Sequence, residues 1–144
     1  MASKFEACLK AGADATVDAS EGRVTEQLLE LTGGRGVDVA IDFVSGPDTL
    51  EAAQGALAKG GRLVTLGGHG QPFNVNPAAL LRKEQEIMGS RYATRQEVMD
   101  SLELVARGDL WPLVTEKVPF TEAEAIHQRL EIGSITGRAA LMMN

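Results

Sequence analysis

Three side chains in this sequence are of the types that most readily bind zinc or act as nucleophiles, namely Cys8, His69 and His127. A catalytic zinc needs three protein ligands, and these residues do not have the spacing of a ligand set. We expect Cys8 to be a small buried thiol on a helix, His69 to be a solvated loop residue and His127 to lie on a helix surface. The sequence therefore predicts no metal site.

Small and polar residues follow three apolar segments that are typical of buried parallel strands. The segments are residues 37–44 (VDVAIDFV), 62–67 (RLVTLG) and 85–90 (QEIMGS). Ligands of open α/β sheets bind beyond the carboxyl ends of the strands. The candidate binding residues therefore lie in residues 42–46, 66–68 and 90–92, with Asp42 expected to hydrogen-bond neighbouring loop groups and not to transfer a proton.

Helical segments separate these strands and are marked by capping signals. Residues 5–13 are predicted to hold the tail of a helix that Gly12 closes, and Val24, Leu28 and Leu31 have the spacing of a second helix that ends at the glycines of TGGRG. The further signals are Pro47 in a first turn, Gly60 and Gly61 after that helix, the Asn76–Pro77 pair, and capping boxes at Thr94 with Glu97 and at Thr121 with Glu124. Residues 15–18 (ATVD) are a further strand candidate, with Asp18 as a turn residue or helix cap, and GRAALMM is a closing strand. This alternation predicts an α/β fold with a parallel sheet and right-handed crossovers.

Composition narrows the class of protein further. The 144 residues include 44% hydrophobic and 24% charged residues, which is the balance of a globular domain. The formal net charge of −6 argues against nucleic acid or an anionic membrane as a partner. A single cysteine, the absence of a signal-peptide pattern and the lack of a long apolar run favour a cytoplasmic protein with no membrane span.

The ordered segments resemble the second half of a zinc-type medium-chain alcohol dehydrogenase. LTGGRGVDVAIDFV, ALAKGGRLVTLGG and EIMGS resemble the fourth, fifth and sixth strands of that family's dinucleotide domain. The segment LVTEKVPFTEAEAIHQRLEIGSITGRAALMM resembles the family's C-terminal segment. The resemblance implies a partial Rossmann-like parallel sheet with flanking helices over residues 1–92. Residues 93–144 would form a C-terminal helix and strand segment that packs on the catalytic domain in the family.

The resemblance also assigns roles toward NAD or NADP. Val44, Ser45 and Gly46 would line the adenosine side of the cofactor. Backbone groups of Leu66, Gly67 and Ser90, with Gly68 beside them, would lie near the nicotinamide. Arg138 resembles the arginine that reaches the pyrophosphate, a task for which a guanidinium can hold two oxygens at once.

Two parts of the family pattern are not found in this sequence. The G-x-G-x-x-G unit that brings the pyrophosphate to a helix N-terminus does not occur, and GGHG at residues 67–70 does not replace it. The cysteine and histidine ligands of the family's zinc are also missing, so no catalytic residue is assigned in this chain. Without the family's first strand, the free side of VDVAIDFV would be an open apolar edge that recruits another chain.

Three functions follow from these observations. The first is a part of an NAD(P)-dependent oxidoreductase that transfers hydride between a small alcohol or carbonyl and a nicotinamide. A second is a non-catalytic association module that pairs through exposed sheet edges, and a third is a zinc-independent relative that resembles quinone reductases. A homo-oligomer or a complementing fragment is the expected partner.

Overall fold

The computed structural model describes residues 4–68 and 72–143, so His69 lies outside the described residues. The chain divides into two compact units, Met1–Tyr92 and Ala93–Asn144. The elements of the first unit are α1 (Phe5–Lys10), α2 (Val24–Leu31), β1 (Val37–Asp42), α3 (Pro47–Ala56), β2 (Leu57–Thr65), α4 (Pro77–Lys83) and β3 (Glu86–Gly89). Helices and strands alternate from α2 onward, as the predicted α/β class requires.

The first unit is built on a parallel sheet with the strand order β1–β2–β3. Ala40 lies opposite Leu63, and Leu63 lies opposite Ile87 on the other side. The core is formed by Leu50 of α3 with Leu57 and Leu63 of β2, all of which are buried. Burying a leucine side chain stabilises a fold by roughly 1.5–3 kcal/mol, so these three residues hold α3 on the sheet.

The second strand begins earlier than predicted. Gly60 and Gly61 were expected to end the preceding helix, but α3 ends at Ala56 and β2 begins at the next residue. A bulge follows, because Val37 is opposite Leu57 while Val39 is opposite Arg62. Gly60 has a φ of +70° within this bulge, a conformation that glycine adopts without steric cost. The predicted inner strand is the regular part of β2 after the bulge.

The turn into β1 passes directly over the end of α3. Gly36 has a φ of +89°, and a Cβ atom at this position would lie 2.5 Å from the carbonyl oxygen of Ala56. The neighbouring helices also approach closely, since the Thr25 hydroxyl of α2 donates to the carbonyl of Ala52 in α3 at 3.1 Å. These contacts set α2 and α3 side by side next to β1.

The second unit forms its own small sheet. Its elements are α5 (Arg95–Arg107), β4 (Val114–Pro119), α6 (Ala123–Glu131) and β5 (Arg138–Met142), and β4 pairs with β5 in parallel. Ile126 and Ile135 are buried in this unit. The Arg129 guanidinium donates to both Glu116 carboxylate oxygens at 2.6 and 2.7 Å, which ties α6 to β4. No helix in the ranges 4–68 and 72–143 has the length and apolar character needed to cross a membrane.

The predicted caps at Asn76 and Thr94 are confirmed, and the capping box predicted at Thr121 is wrong. Asn76 Oδ1 accepts from the N–H groups of Ala78 and Ala79 at 3.0 and 3.2 Å and so caps α4. Thr94 and Glu97 form the complete capping box of α5. Thr121 does not cap a helix, because it lies inside the 3-10 helix Phe120–Glu122, and no side chain caps α6.

The strand predicted at residues 15–18 is also wrong. The segment has no strand structure and leads into the 3-10 helix Ala19–Glu21. Asp18 caps that helix, since its carboxylate accepts from the Ser20 N–H at 3.0 Å, which confirms its expected role as a cap. A strand is stabilised by its neighbour, and the described sheet offers this segment none.

Candidate functional site

The carboxyl ends of β1, β2 and β3 meet at one edge of the parallel sheet, where the predicted binding residues lie. Two backbone hydrogen bonds join the strand ends beyond the sheet ladder. The Leu66 N–H donates to the carbonyl of Asp42 at 2.8 Å, and the Ser90 N–H donates to the carbonyl of Thr65 at 3.0 Å. The first residues of the candidate loops are therefore held in register by the strands that precede them.

Asp42 organises the first of these loops. Its carboxylate is buried and accepts from the N–H groups of Val44 and Ser45 at 2.7 and 2.6 Å. Burial would raise the pKa of Asp42, but hydrogen bonds from Ser45 N–H, the Thr49 hydroxyl and Val44 N–H together outweigh it, so the pKa is lowered. The carboxylate is thus a charged turn-forming group, which confirms the hydrogen-bonding role expected of it.

Ser45 connects the loop after β1 to the end of β2. It is buried with a φ of +56°, a left-handed conformation that is uncommon outside glycine. Its hydroxyl lies 2.5 Å from the hydroxyl of Thr65. Sequence reasoning missed Thr65, although a hydroxyl at the carboxyl end of a buried strand is a signal for such a bond.

The loop after β1 and the loop after β2 are in direct contact at Gly67. A Cβ atom at this position would lie 2.7 Å from both the Ser45 Cβ and the Val44 carbonyl carbon. At Gly68 an added Cβ would meet no atom within 4 Å. Gly67 is therefore required for loop packing, whereas the space at Gly68 is open.

Exposed apolar side chains surround this packed cluster. Phe43, Val44 and Leu66 are 72%, 57% and 38% exposed, although each is large and apolar. Flat aromatic groups such as adenine or nicotinamide bind against apolar surfaces of this kind, with few polar contacts to fix their orientation. The polar side chains of Asp42 and Thr65 are held in place, because each forms hydrogen bonds with the loop after β1.

A cavity of about 810 Å³ lies beside the same edge, between α2, α3 and β1. Its volume is within the range of small-molecule and cofactor sites. Asp42 and Thr49 line one part of it, and Val39 and Ile41 of β1 line another. The cavity therefore extends from the loop after β1 to the side of β1 that faces away from β2.

The structure brings together most of the predicted site residues. Val44, Ser45, Gly46, Leu66, Gly67, Gly68 and Ser90 all follow the carboxyl ends of the sheet in the first unit. Arg138 is in the second unit, where it begins β5 and its N–H donates to the Leu113 carbonyl at 2.8 Å. No other described side chain pairs with the Arg138 guanidinium.

The described residues do not form a zinc site. Cys8 lies exposed on α1, so its predicted burial is wrong, because α1 ends after six residues and buries none of them. His127 is exposed on α6, as expected. Within residues 4–68 and 72–143, no three His, Cys, Asp or Glu side chains are grouped in a way that could hold a metal ion.

Comparison with known proteins finds consistent similarity along the chain. The family model described as "Zinc-binding dehydrogenase" matches residues 1–107. A curated NAD-dependent alcohol dehydrogenase of Sulfurisphaera tokodaii is 28% identical over 96% of this chain and 40% of its own length. Quinone oxidoreductase 1 of Escherichia coli is 31% identical over 98% of this chain and 46% of its own length.

A solved structure is similar over nearly the whole chain. The alcohol dehydrogenase of Aeropyrum pernix superposes with a TM-score of 0.89 at 30% identity, covering 99% of this chain and 41% of the larger one. The chain thus spans less than half the length of these similar proteins.

Proposed function

Because the chain belongs to the zinc-binding dehydrogenase family, we propose that its first unit forms the carboxyl-edge part of a nicotinamide-dinucleotide site, for NAD or NADP, in an oxidoreductase. The observation that carries this proposal is the packed cluster of Asp42, Ser45, Thr65 and Gly67. It fixes two loops at the end of a parallel sheet, where such sheets bind nucleotides. The similar protein of S. tokodaii bears the name NAD-dependent alcohol dehydrogenase.

The contacts already made by the loops restrict how they bind the cofactor. Val44 and Ser45 donate their N–H groups to Asp42, so residues 44–46 would line the adenosine side through the Val44 side chain and through carbonyl groups. Leu66 and Ser90 likewise donate their N–H groups to strand carbonyls. Their carbonyl oxygens would accept from the nicotinamide carboxamide, with Gly67 and Gly68 alongside.

Arg138 is proposed as a pyrophosphate ligand from the second unit. Its guanidinium has the geometry to hold two phosphate oxygens, and β5 fixes its backbone. The second unit is accordingly proposed to be the C-terminal segment, residues 93–144, that packs on a catalytic domain. Residues 1–92 would be the partial dinucleotide-binding domain.

The cofactor, when bound, would accept hydride from a small alcohol or donate it to a carbonyl compound. The role of this chain is to bind and orient the nicotinamide at the sheet edge. The described residues offer no ligand set for zinc, so no step through a metal is assigned to them. We propose that the G-x-G-x-x-G unit, the substrate pocket and any zinc ligands come from a complementing segment, in a cytoplasmic enzyme.

Two other candidate functions have specific support. A quinone-reductase-like activity is favoured by the 31% identity to quinone oxidoreductase 1. An association module is favoured by the edge strands β1 and β3, each of which pairs on one side alone among the described residues. In that case a homo-oligomer would extend the sheet through β3, and size-exclusion chromatography without cofactor would reveal a stable dimer.

Complementation tests the proposed function directly. The chain would be mixed with the N-terminal part of the S. tokodaii relative. NADH formation would be followed with an alcohol and NAD, and NADH consumption would be followed with a quinone and NADH. We expect turnover only when both polypeptides are present, and a higher KM for the cofactor in Arg138→Gln. Folded polypeptides that bind each other without any turnover would contradict the proposal.

A further inference from the structure

Two glutamine side chains are buried where α3 ends and β3 begins. Gln54 is 5% exposed and lies one helical turn after the core residue Leu50, so it belongs to the face of α3 that packs on the sheet. Gln85 is 9% exposed and directly precedes β3. Glutamine is mostly exposed in folded proteins, so two buried amides at one place need hydrogen-bond partners.

One end of each side-chain amide is paired with the backbone. Gln54 Oε1 accepts from the Asn76 N–H at 3.4 Å. Gln85 Nε2 donates to the carbonyls of Gln54 and Leu57 at 3.4 and 3.3 Å. These bonds join the end of α3 to the residues that precede α4 and β3. They lie at the amino ends of β2 and β3, which is the sheet edge opposite to the candidate functional site.

The other end of each amide is buried without a protein partner. Gln54 Nε2 and Gln85 Oε1 form no hydrogen bond with any residue that the structure describes. A buried polar atom that leaves solvent without gaining a partner costs free energy, so folded proteins ordinarily pair it with protein or with an internal water. The two open atoms are one donor and one acceptor. A ligand that serves both must therefore accept one hydrogen bond and donate another.

The surrounding groups disfavour an ion at this place. Lys83 Nζ donates to the Leu57 carbonyl at 3.1 Å, so its positive charge would oppose a cation. The carboxamide oxygen of Gln85 would repel an anion. Direct pairing of the two amides would require one of them to turn away from the backbone groups that it already bonds. Water requires no such movement, and an internal water typically makes about three hydrogen bonds to otherwise unpaired groups.

We propose that Gln54 and Gln85 form an internal binding site for water, in which the water accepts from Gln54 Nε2 and donates to Gln85 Oε1. The water would join the last turn of α3 to the residue before β3 and would complete the hydrogen bonds of both amides. This site is distinct from the proposed cofactor site and does not depend on it.

NMR detection of bound water in the full chain tests the site without any cofactor. Nuclear and rotating-frame Overhauser spectra together separate a bound water from proton exchange with solvent. We expect the side-chain amide protons of Gln54 to show a contact with a long-lived water. The exposed side-chain amide of Gln96, which donates to Asp100, is the control and should show none.

Methionine variants test whether both amides hold the same water. Gln85→Met keeps an unbranched side chain of similar length but removes the acceptor, so the water contact at Gln54 should be lost. If both amides act through one water, the variant with Gln54→Met and Gln85→Met together should have a urea midpoint no lower than that of the less stable single variant. Gln96→Met should retain the water contact and a midpoint close to that of the wild type.

Three results would overturn the water site. The first is a folded wild-type chain without a long-lived water at Gln54, a result that is informative whether or not the variants fold. The second is persistence of that contact in folded Gln85→Met. The third is a double variant whose urea midpoint falls by the sum of the two single shifts, because independent amides would behave in that way.

Discussion

Asp42 shows how one side chain can determine the conformation of the loop that follows its strand. Its carboxylate takes up the N–H groups of Val44 and Ser45, and Ser45 in turn reaches Thr65. A buried carboxylate that accepts several N–H bonds stays charged at low pH. The loop conformation therefore depends on a charge as well as on packing.

Replacing Asp42 with asparagine tests that dependence. We expect Asp42→Asn to lower the free energy of unfolding by about 1–2 kcal/mol at neutral pH, because charged hydrogen bonds are lost. The pKa of Asp42 is lowered in the folded state, so its contribution is present above the ordinary value of 3.8 and is lost as the pH falls through the folded pKa. Urea unfolding at a series of pH values should show that the free energies of unfolding of the two proteins converge below the folded pKa of Asp42.

The exposed Asp14 provides a control for this prediction, because Asp14→Asn removes the same formal charge away from any described loop bond. An Asp42→Asn deficit that stays constant from neutral to acidic pH would show that the carboxylate charge has no part in holding the loop.

Gly67 and Gly68 form a matched pair for the loop contact. We expect Gly67→Ala to destabilise the first unit by about 1–3 kcal/mol, since its Cβ would overlap Ser45 and Val44. Gly68→Ala should change stability by less than about 0.5 kcal/mol, because its Cβ would meet open space. Thermal unfolding of both variants makes the comparison, and equal effects would refute the packing described here.

Two helix starts with the same capping-box spacing in the sequence differ in the structure. Thr94 has its complete capping box, but Thr121, with the same sequence spacing, lies in a 3-10 helix. Pro119 directly precedes that helix and has an extended conformation, with a φ of −57° and a ψ of 146°. The chain therefore enters α6 through a tight turn, in which the Thr121 side chain has no cap to form.

This contrast predicts different costs for the same substitution. Thr94→Ala should lower the free energy of unfolding of the second unit by about 1 kcal/mol, because the first turn of α5 loses its cap. Thr121→Ala should have an effect below about 0.5 kcal/mol. Amide exchange in the first turns of α5 and α6 would measure both, and comparable losses would contradict the assignment.

Elements with their own local signals could be predicted from the sequence. Pro47 begins α3, Asn76 caps α4, and the apolar run of β3 forms a strand. Strands that depend on a pairing partner could not be predicted from the sequence. The strand expected at residues 15–18 has no partner in the described sheet, and β4 is stabilised by β5 despite the charged and proline residues in its sequence.

In the candidate site, the positions of the loops could be predicted from the sequence, but the contacts between them could not. The loops after β1, β2 and β3 could be placed at one edge, because the carboxyl ends of parallel strands meet there. The contact of Gly67 with Ser45 and the hydroxyl pair of Ser45 with Thr65 depend on side-chain packing between strands, which sequence spacing does not specify.

On the scale of the whole molecule, the chain consists of two compact units, and the loops proposed to bind the cofactor belong to the three-stranded sheet of the first unit. The chain spans about 40% of the S. tokodaii relative, and the cavity beside β1 is lined in part by Asp42, which also holds the loop after β1.

The most direct test of this account is a titration of the isotopically labelled chain with NADH, followed residue by residue by NMR. We expect millimolar binding, with shifts concentrated at residues 44–46, 66–68 and Ser90, and weaker binding in Gly67→Ala than in Gly68→Ala. A folded chain whose amides at these three loops do not respond to NADH, or respond no more than those of α5, would contradict the central claim.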